Sequence, residues 1–242
     1  MKIIACDYDG TLFREDGSGV SLEDKNAIIQ FRNNGGLFGI VTGRDLINSS
    51  YVIKELDGIF DFLICSTGAI TCNNKGEILS EEKSYAISAI SKIADFSLSH
   101  NLRSFNVICR DIRYPLDISG KIKHNYSNLE YFNNCTIWFE KIEDAELVEK
   151  YIKDNHSNEL TFFRNFECIE ITPIGVNKST AVKAFSSQYN DATVYAVGDG
   201  ATDVPMVRDF YGFALENSIA CVKMVAKHEC KRVCNMIDII LK

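Results

Sequence analysis

Two patterns of hydrophobic and polar positions alternate along the chain. Apolar runs at Lys2 to Cys6, Leu37 to Val41 and Phe62 to Cys65 have the length and flanks of buried strands. Between them, Leu22 to Arg32 and Asp45 to Leu56 carry apolar residues at helical spacing, and Gly35-Gly36 marks the turn into the second strand. A β-α-β-α-β order of this kind predicts a parallel sheet with right-handed crossovers.

After Thr67-Gly68-Ala69 the pattern changes. Ile70 to Cys72 and Glu77 to Leu79 flank Asn73-Asn74-Lys75-Gly76, a hairpin signature. A helical stretch near Tyr85 to His100 leads to strand-like segments at Phe105 to Cys109 and Thr136 to Phe139. A helix at Ala145 to Asn155 and strands at Thr161 to Phe166 and Cys168 to Thr172 follow. Strands with only two helices predict an α+β insert of about 90 residues, enough for a small core of its own. From Lys178 the first pattern returns, with a helix over Ser179 to Phe185, a buried strand over Thr193 to Val197 and a helix beginning at Asp203 to Val207. The predicted fold class is α/β, a Rossmann-like parallel-sheet core in two parts, 1–82 and 174–242, with an α+β domain at 83–173 inserted between them.

Composition narrows the setting. The chain has 242 residues, 46% apolar and 24% charged, as in ordinary globular proteins. It shows no leader-like combination of basic start, apolar stretch and cleavage site, and no apolar run near the ~18 residues of a membrane span. Nine cysteines, an odd number and scattered, suit a reducing compartment better than a disulfide framework. A cytoplasmic protein is expected. His228, Cys230 and Cys234 match no standard zinc spacing. The formal charge of −7 argues against a nucleic-acid partner. An anionic substrate would need local positive charge against this background, and a divalent cation is one source.

Chemistry concentrates where the core strands should end. Asp7-Tyr8-Asp9-Gly10-Thr11 puts two carboxylates at the opening of a turn, where one acid can attack or bind metal while the other shuttles a proton. Thr42-Gly43-Arg44 follows the second strand, Gly198-Asp199-Gly200-Ala201-Thr202-Asp203 follows a later one, and Lys178 stands at a helix start. Each segment alone has a plainer reading: an Asx-turn, a helix cap ahead of Asp45, a solvent-exposed lysine. In a parallel sheet, however, strand C-termini share one edge, so these loops can converge.

The order and content of these segments resemble the haloacid dehalogenase superfamily of phosphohydrolases, and the position of the insert resembles its Cof-type branch. Gly175-Val176-Asn177-Lys178, Glu216-Asn217-Ser218 and Val222-Lys223 add to the likeness. The resemblance implies a phosphatase acting on a small phosphate ester, such as a sugar phosphate. Asp7 would be the nucleophile that forms an aspartyl-phosphate, and Asp9 the acid and base. It also implies Mg²⁺ held by Asp7, Asp199 and the Asp9 carbonyl, with Asp203 and Thr202 behind it. Thr42, Gly43, Arg44 and Lys178 would bind the phosphoryl oxygens. An aspartate at position 9 points to phosphate turnover over the superfamily's other reactions. Tyr8, between the two acids of an extended segment, is expected to point away from the site.

The chain departs from the Cof-type pattern at Thr67 and Thr202, each where asparagine is usual. A phosphomutase or phosphotransferase on the same scaffold, and a weakly active phosphate-binding regulator, are the competing readings. In the insert, Arg103, Arg110, Arg113, Lys121, Lys123, His124 and Arg164 are candidate anion or hydroxyl binders. Trp138, in the apolar run Ile137-Trp138-Phe139, is expected in the core of the insert.

Overall fold

The computed structural model describes residues 1–14, 19–116 and 126–242. Strands β1 (Lys2–Cys6), β2 (Leu37–Val41) and β3 (Phe62–Cys65) alternate with helices α1 (Leu22–Asn33) and α2 (Leu46–Leu56), as the periodicity predicts. Strands β4 (Ile70–Asn73) and β5 (Ile78–Glu81) form the expected hairpin, which extends the sheet antiparallel from β3.

The chain then builds a second, antiparallel sheet. Helix α3 (Ile87–Ser97) precedes β6 (Leu102–Cys109), β7 (Ile112–Pro115) and β8 (Asn134–Phe139); α4 (Ile142–His156) precedes β9 (Leu160–Asn165) and β10 (Cys168–Pro173). The strand order is β7-β6-β8-β10-β9. Ile90 and Ile93 of α3 and Val148 and Ile152 of α4 pack on one face, against Phe105, Val107, Ile137 and Ile169.

Helix α5 (Lys178–Ser186), β11 (Thr193–Gly198), α6 (Val204–Asp209), β12 (Tyr211–Leu215), α7 (Ala220–Val225), β13 (His228–Cys230) and α8 (Val233–Leu241) return to the first sheet. The periodicity assigns nothing beyond Val207. There the remaining strands are short, one interrupted by Gly212 and the other only 3 residues long, too little to show a period. The large sheet runs β13-β12-β11-β1-β2-β3-β4-β5, parallel from β13 to β3. Ile4 and Cys6 of β1 pack toward α1, α2 and α8, while Ile3 and Ala5 pack toward α5 and α6. Burial on both faces explains the unbroken apolar runs.

Chain order reverses at β1, with β2 and β3 on one side and β11, β12 and β13 on the other. Such a reversal opens a crevice at the strand C-termini, because the connections leave in opposite directions. Among the described residues no helix is long and apolar enough to cross a membrane. All nine cysteines are free thiols.

Candidate active site

Asp7 lies in this crevice. Its N–H donates to the Val197 carbonyl at 2.9 Å, so the residue continues the β1–β11 pairing by one step. Lys178, the first residue of α5, donates from Nζ to Asp7 Oδ1 and to Asp203 Oδ1, both at 2.6 Å. A solvated lysine is the usual case, yet this one is 2% exposed. Its position is set by the backbone. Asn177 Oδ1 accepts from the Thr180 N–H, and Thr180 Oγ1 accepts from the Asn177 N–H, a reciprocal cap on α5. Gly68 packs directly on this cap; at its φ of 107° a Cβ would lie 2.4 Å from the Asn177 carbonyl oxygen. Burial works against the Lys178 ammonium, but Asp203 and Asp7 outweigh it and hold its pKa above that of an ordinary lysine.

The loop after β11 is folded by one carboxylate. Asp203 Oδ2 accepts from the N–H groups of Asp199 at 3.2 Å and Gly200 at 3.0 Å. Thr11 Oγ1 donates to Asp199 Oδ1 at 3.0 Å, and Asn217 Nδ2 donates to the Gly10 carbonyl at 2.8 Å. Gly10 has a φ of 78°, and a Cβ there would fall 2.3 Å from Asp199 Oδ2. Only glycine lets the two acidic loops come this close.

Asp7, Asp199 and Asp203 each place a carboxylate oxygen within 4.8 Å of the others. Lys178 bonds two of these three carboxylates, so negative charge is in excess. Burial, then Asp203, push the Asp7 carboxyl well above its ordinary range, with Lys178 opposing and Asp199 adding. An all-oxygen, anionic donor set with surplus charge fits a hard divalent cation such as Mg²⁺.

Asp9 is engaged elsewhere. Arg44 donates from Nε to Asp9 Oδ2 at 2.8 Å and from Nη2 to Oδ1 at 2.6 Å. The guanidinium lies 4.9 Å over the Tyr8 ring, which stacks on Phe13. Tyr8 is in the core on the α1 and α2 side, as the alternation predicts. Arg44, expected among the phosphate ligands, thus has its Nε and Nη2 on a carboxylate. Asp9, expected to offer its backbone carbonyl to the metal, keeps its carboxylate on Arg44.

Thr42 is buried, and its Oγ1 accepts from the Arg44 N–H at 3.1 Å. Beside it, Ser66 and Thr67 have φ of 51° and 56°, a left-handed conformation that is costly for a β-branched residue. Thr67 Oγ1 donates to Glu170 on β10, so the second sheet touches the floor of the crevice. The Glu170 carboxylate also covers Gly43, where a Cβ would lie 2.8 Å from Oε1. Burial raises the Glu170 pKa, with Thr67 and Lys178 opposing. Glu170 escapes sequence reasoning because an acid between Ile169 and Ile171 marks only the open side of a strand.

Between the sheets lies a cavity of about 1070 Å³, into which Asp7, Asp9, Thr42, Lys178, Asp199 and Thr202 all open. Of the cations expected to serve it, Arg113 lines the cavity but donates to Asp45, the N-cap of α2. Arg110 pairs with Glu81, and Arg164 with Glu149 on α4. Arg103 is exposed and outside the cavity. Lys121, Lys123 and His124 fall outside the described residues. Trp138 corrects the expectation of core packing: it is 43% exposed and lines the cavity. Its strand neighbours Ile137 and Phe139 face α3 and α4, and alternation turns Trp138 the other way.

Comparison with known proteins adds a family to this geometry. No curated protein matches the sequence. Among solved structures, a haloacid dehalogenase-like hydrolase from B. subtilis superposes with a TM-score of 0.84 at 22% identity, covering 98% of this chain and 99% of its own. A HAD/COF-like hydrolase from Plasmodium vivax gives 0.83 at 22% identity over 99% of this chain and 95% of its own. The HAD subclass IIB sugar phosphatase BT4131 gives 0.82 at 16% identity, covering 99% of each chain. At such identities the likeness is one of fold. The haloacid dehalogenase-like hydrolase family itself matches residues 4–236, nearly the whole sequence, and the chain belongs to that family.

Proposed function

We propose that this chain is a Mg²⁺-dependent phosphatase of a small phosphorylated metabolite, a sugar phosphate or similar, that works through an aspartyl-phosphate. The observation that carries this reading is the buried Asp7 carboxylate at the crevice, 2.6 Å from a Lys178 that it shares with Asp203. A buried carboxylate fixed by an ammonium is pre-aimed, and little reorganisation is needed when it attacks.

Asp7 attacks phosphorus in line, and the ester P–O bond breaks as Asp9 protonates the leaving oxygen. Asp9 then takes a proton from water, whose oxygen attacks the aspartyl-phosphate; phosphate leaves and the Asp7 carboxylate is restored. Lys178, Thr42 and the N–H groups around Gly43 balance charge on the phosphoryl oxygens. For Asp9 to act as an acid, one of its carboxylate oxygens must be released by Arg44 to carry the proton, while the other stays held and keeps the side chain aimed. Asp7, Asp199 and the Asp9 carbonyl would hold Mg²⁺, with Asp203 and Thr202 beside them; when bound, the ion offsets repulsion between the carboxylate and the phosphoryl group. The second sheet serves as a cap, residues 83–173, set into a core of 1–82 and 174–242. Free thiols throughout suit work in the cytoplasm.

The test is phosphate release from a panel of phosphorylated metabolites, with Mg²⁺ and with EDTA, beside Asp7→Asn. Release by the wild type that needs Mg²⁺ and disappears in the variant is expected. Equal release by both proteins across the panel would end the enzyme reading, and isomer formation without release would replace it with a mutase.

A further inference from the structure

The open face of the second sheet carries a pattern that the catalytic chemistry does not use. Strand pairing sets its side chains in two rows. Ser104, Trp138, Cys168 and Asn165 stand opposite one another across β6, β8, β10 and β9, and Asn106, Thr136 and Glu170 form the row beside them. Their strand neighbours Phe105, Val107, Ile137, Ile169 and Ile171 turn to the helices, so these rows face the cavity, and the cavity lining contains them.

Two aromatics on this face are exposed at some cost. Trp138, the chain's one tryptophan, is 43% exposed. Phe166, in the turn between β9 and β10, is 57% exposed and has a φ of 53°. The two-residue connection from Asn165 to Cys168 accounts for this φ, since tight hairpin turns take a positive φ at their first central residue, and the turn sets the ring on the cavity wall. Around the aromatics the polar groups are hydroxyls, amides and the carboxylates of Glu170, which accepts from Thr67, and of Glu167 in the turn. The described cation on this face, Arg113, is occupied by Asp45. These rows repel a second anion, and their donors and acceptors suit a group that is rich in hydroxyls and flat or apolar on one side.

We propose that the roof of the cavity is a ring-binding subsite: the organic part of the substrate is an uncharged, hydroxylated ring that lies on Trp138 with Phe166 at its edge. Ser104, Asn106, Thr136 and Asn165 take its hydroxyls. This rests on the phosphatase reading for the phosphoryl end only. A pyranose or furanose has such an apolar face, and an aromatic surface holds it at small entropic cost because the indole is rigid. An open-chain polyol phosphate presents no such face.

The experiment compares glucose 6-phosphate and ribose 5-phosphate with two ringless donors, glycerol 3-phosphate and acetyl phosphate, on the full chain with Mg²⁺. In Trp138→Ala the ratio of kcat/KM for the better ring substrate to that for acetyl phosphate should fall about tenfold, and Trp138→Phe should recover most of it. Because Trp138 is the only indole, its emission in the wild type should shift with the ring phosphates and hold steady with inorganic phosphate. A ratio unchanged within about twofold, a preference for glycerol 3-phosphate in the wild type, or emission that moves equally with inorganic phosphate overturns the subsite. If the wild type hydrolyses none of the four, the phosphatase reading is decided by the wider panel beside Asp7→Asn, and the emission titration alone decides the ring site.

Discussion

On the floor of the cavity Lys178 answers two buried carboxylates at 2.6 Å each, and the loops after β1, β2 and β11 are pinned by hydrogen bonds between side chains and backbone. On the roof, Ser104, Trp138, Cys168 and Asn165 meet across three strand pairings. The floor is a closed electrostatic balance, in which a buried charge left without its partner is expensive and one change is felt by all its neighbours. The roof is a set of independent polar positions on a rigid sheet, where a change alters what fits without disturbing the rest. One chain thus separates a fixed reaction from an adjustable choice of substrate.

The largest effects should come from breaking the balance. Without Mg²⁺, Lys178→Met leaves Asp7 and Asp203 buried without their cation; a loss of about 3 kcal/mol is expected, seen as a drop of roughly 10 °C in Tm. Activity should fall about 10²- to 10³-fold, as when a charge-stabilising donor is removed. Asp7→Asn tests the same balance with the opposite sign. It should abolish turnover yet leave Tm in EDTA equal to or above wild type, because it removes one of three crowded carboxylates. If both variants lost stability alike, excess negative charge would not describe the floor.

Arg44 decides between two uses of one side chain. Held on Asp9 at 2.6 and 2.8 Å, it acts as a positioning residue, and Arg44→Ala should lower kcat about tenfold with KM within roughly threefold of wild type. A phosphate ligand would give the reverse, a raised KM at nearly constant kcat. A smaller effect is expected where floor and roof touch. Thr67 is held left-handed at φ 56°, a conformation asparagine tolerates better, so Thr67→Asn should raise Tm by about 2–4 °C, corresponding to about 1 kcal/mol of relieved strain. No gain would mean that the Thr67 bond to Glu170 outweighs the strain.

The difference between floor and roof also explains what could be read from the sequence. Asp7, Thr42 and Asp199 each follow a strand and Lys178 begins a helix, so a parallel sheet alone is enough to bring them to one edge. The pairing of Arg44 with Asp9 was not legible, because it depends on the direction of two side chains over the Tyr8 ring. Trp138 is misleading in the sequence for a similar reason. Flanked by Ile137 and Phe139 it looks continuous with the core, and only strand parity sends it to the other face. Glu170 carries the same ambiguity. Alternation tells which residues share a face, whereas the packing of one sheet over another tells what that face meets.

The smallest expected effect lies away from the cavity, at an ion pair that ties the two sheets together. Arg110, in the turn between β6 and β7, donates to both carboxylate oxygens of Glu81 on β5 at 2.7 and 3.0 Å. Arg110 holds the Glu81 carboxyl down at about 2, with burial opposing and Lys83 assisting. A depressed folded-state pKa means that the pair stabilises above the ordinary glutamate range near ~4.3, and that this support fades as pH falls from there toward about 2. Exposure of Arg110 keeps the contribution modest, so Glu81→Gln should lower Tm by only about 1–2 °C between pH 5 and 8. The gap should close below about pH 4, where the wild type begins to lose the same interaction. A gap that persisted at low pH would mean that Glu81 acts by packing and not by charge, and that the link between floor and roof draws its charge-dependent part from other contacts, among them those of Thr67, Arg113 and Asn133.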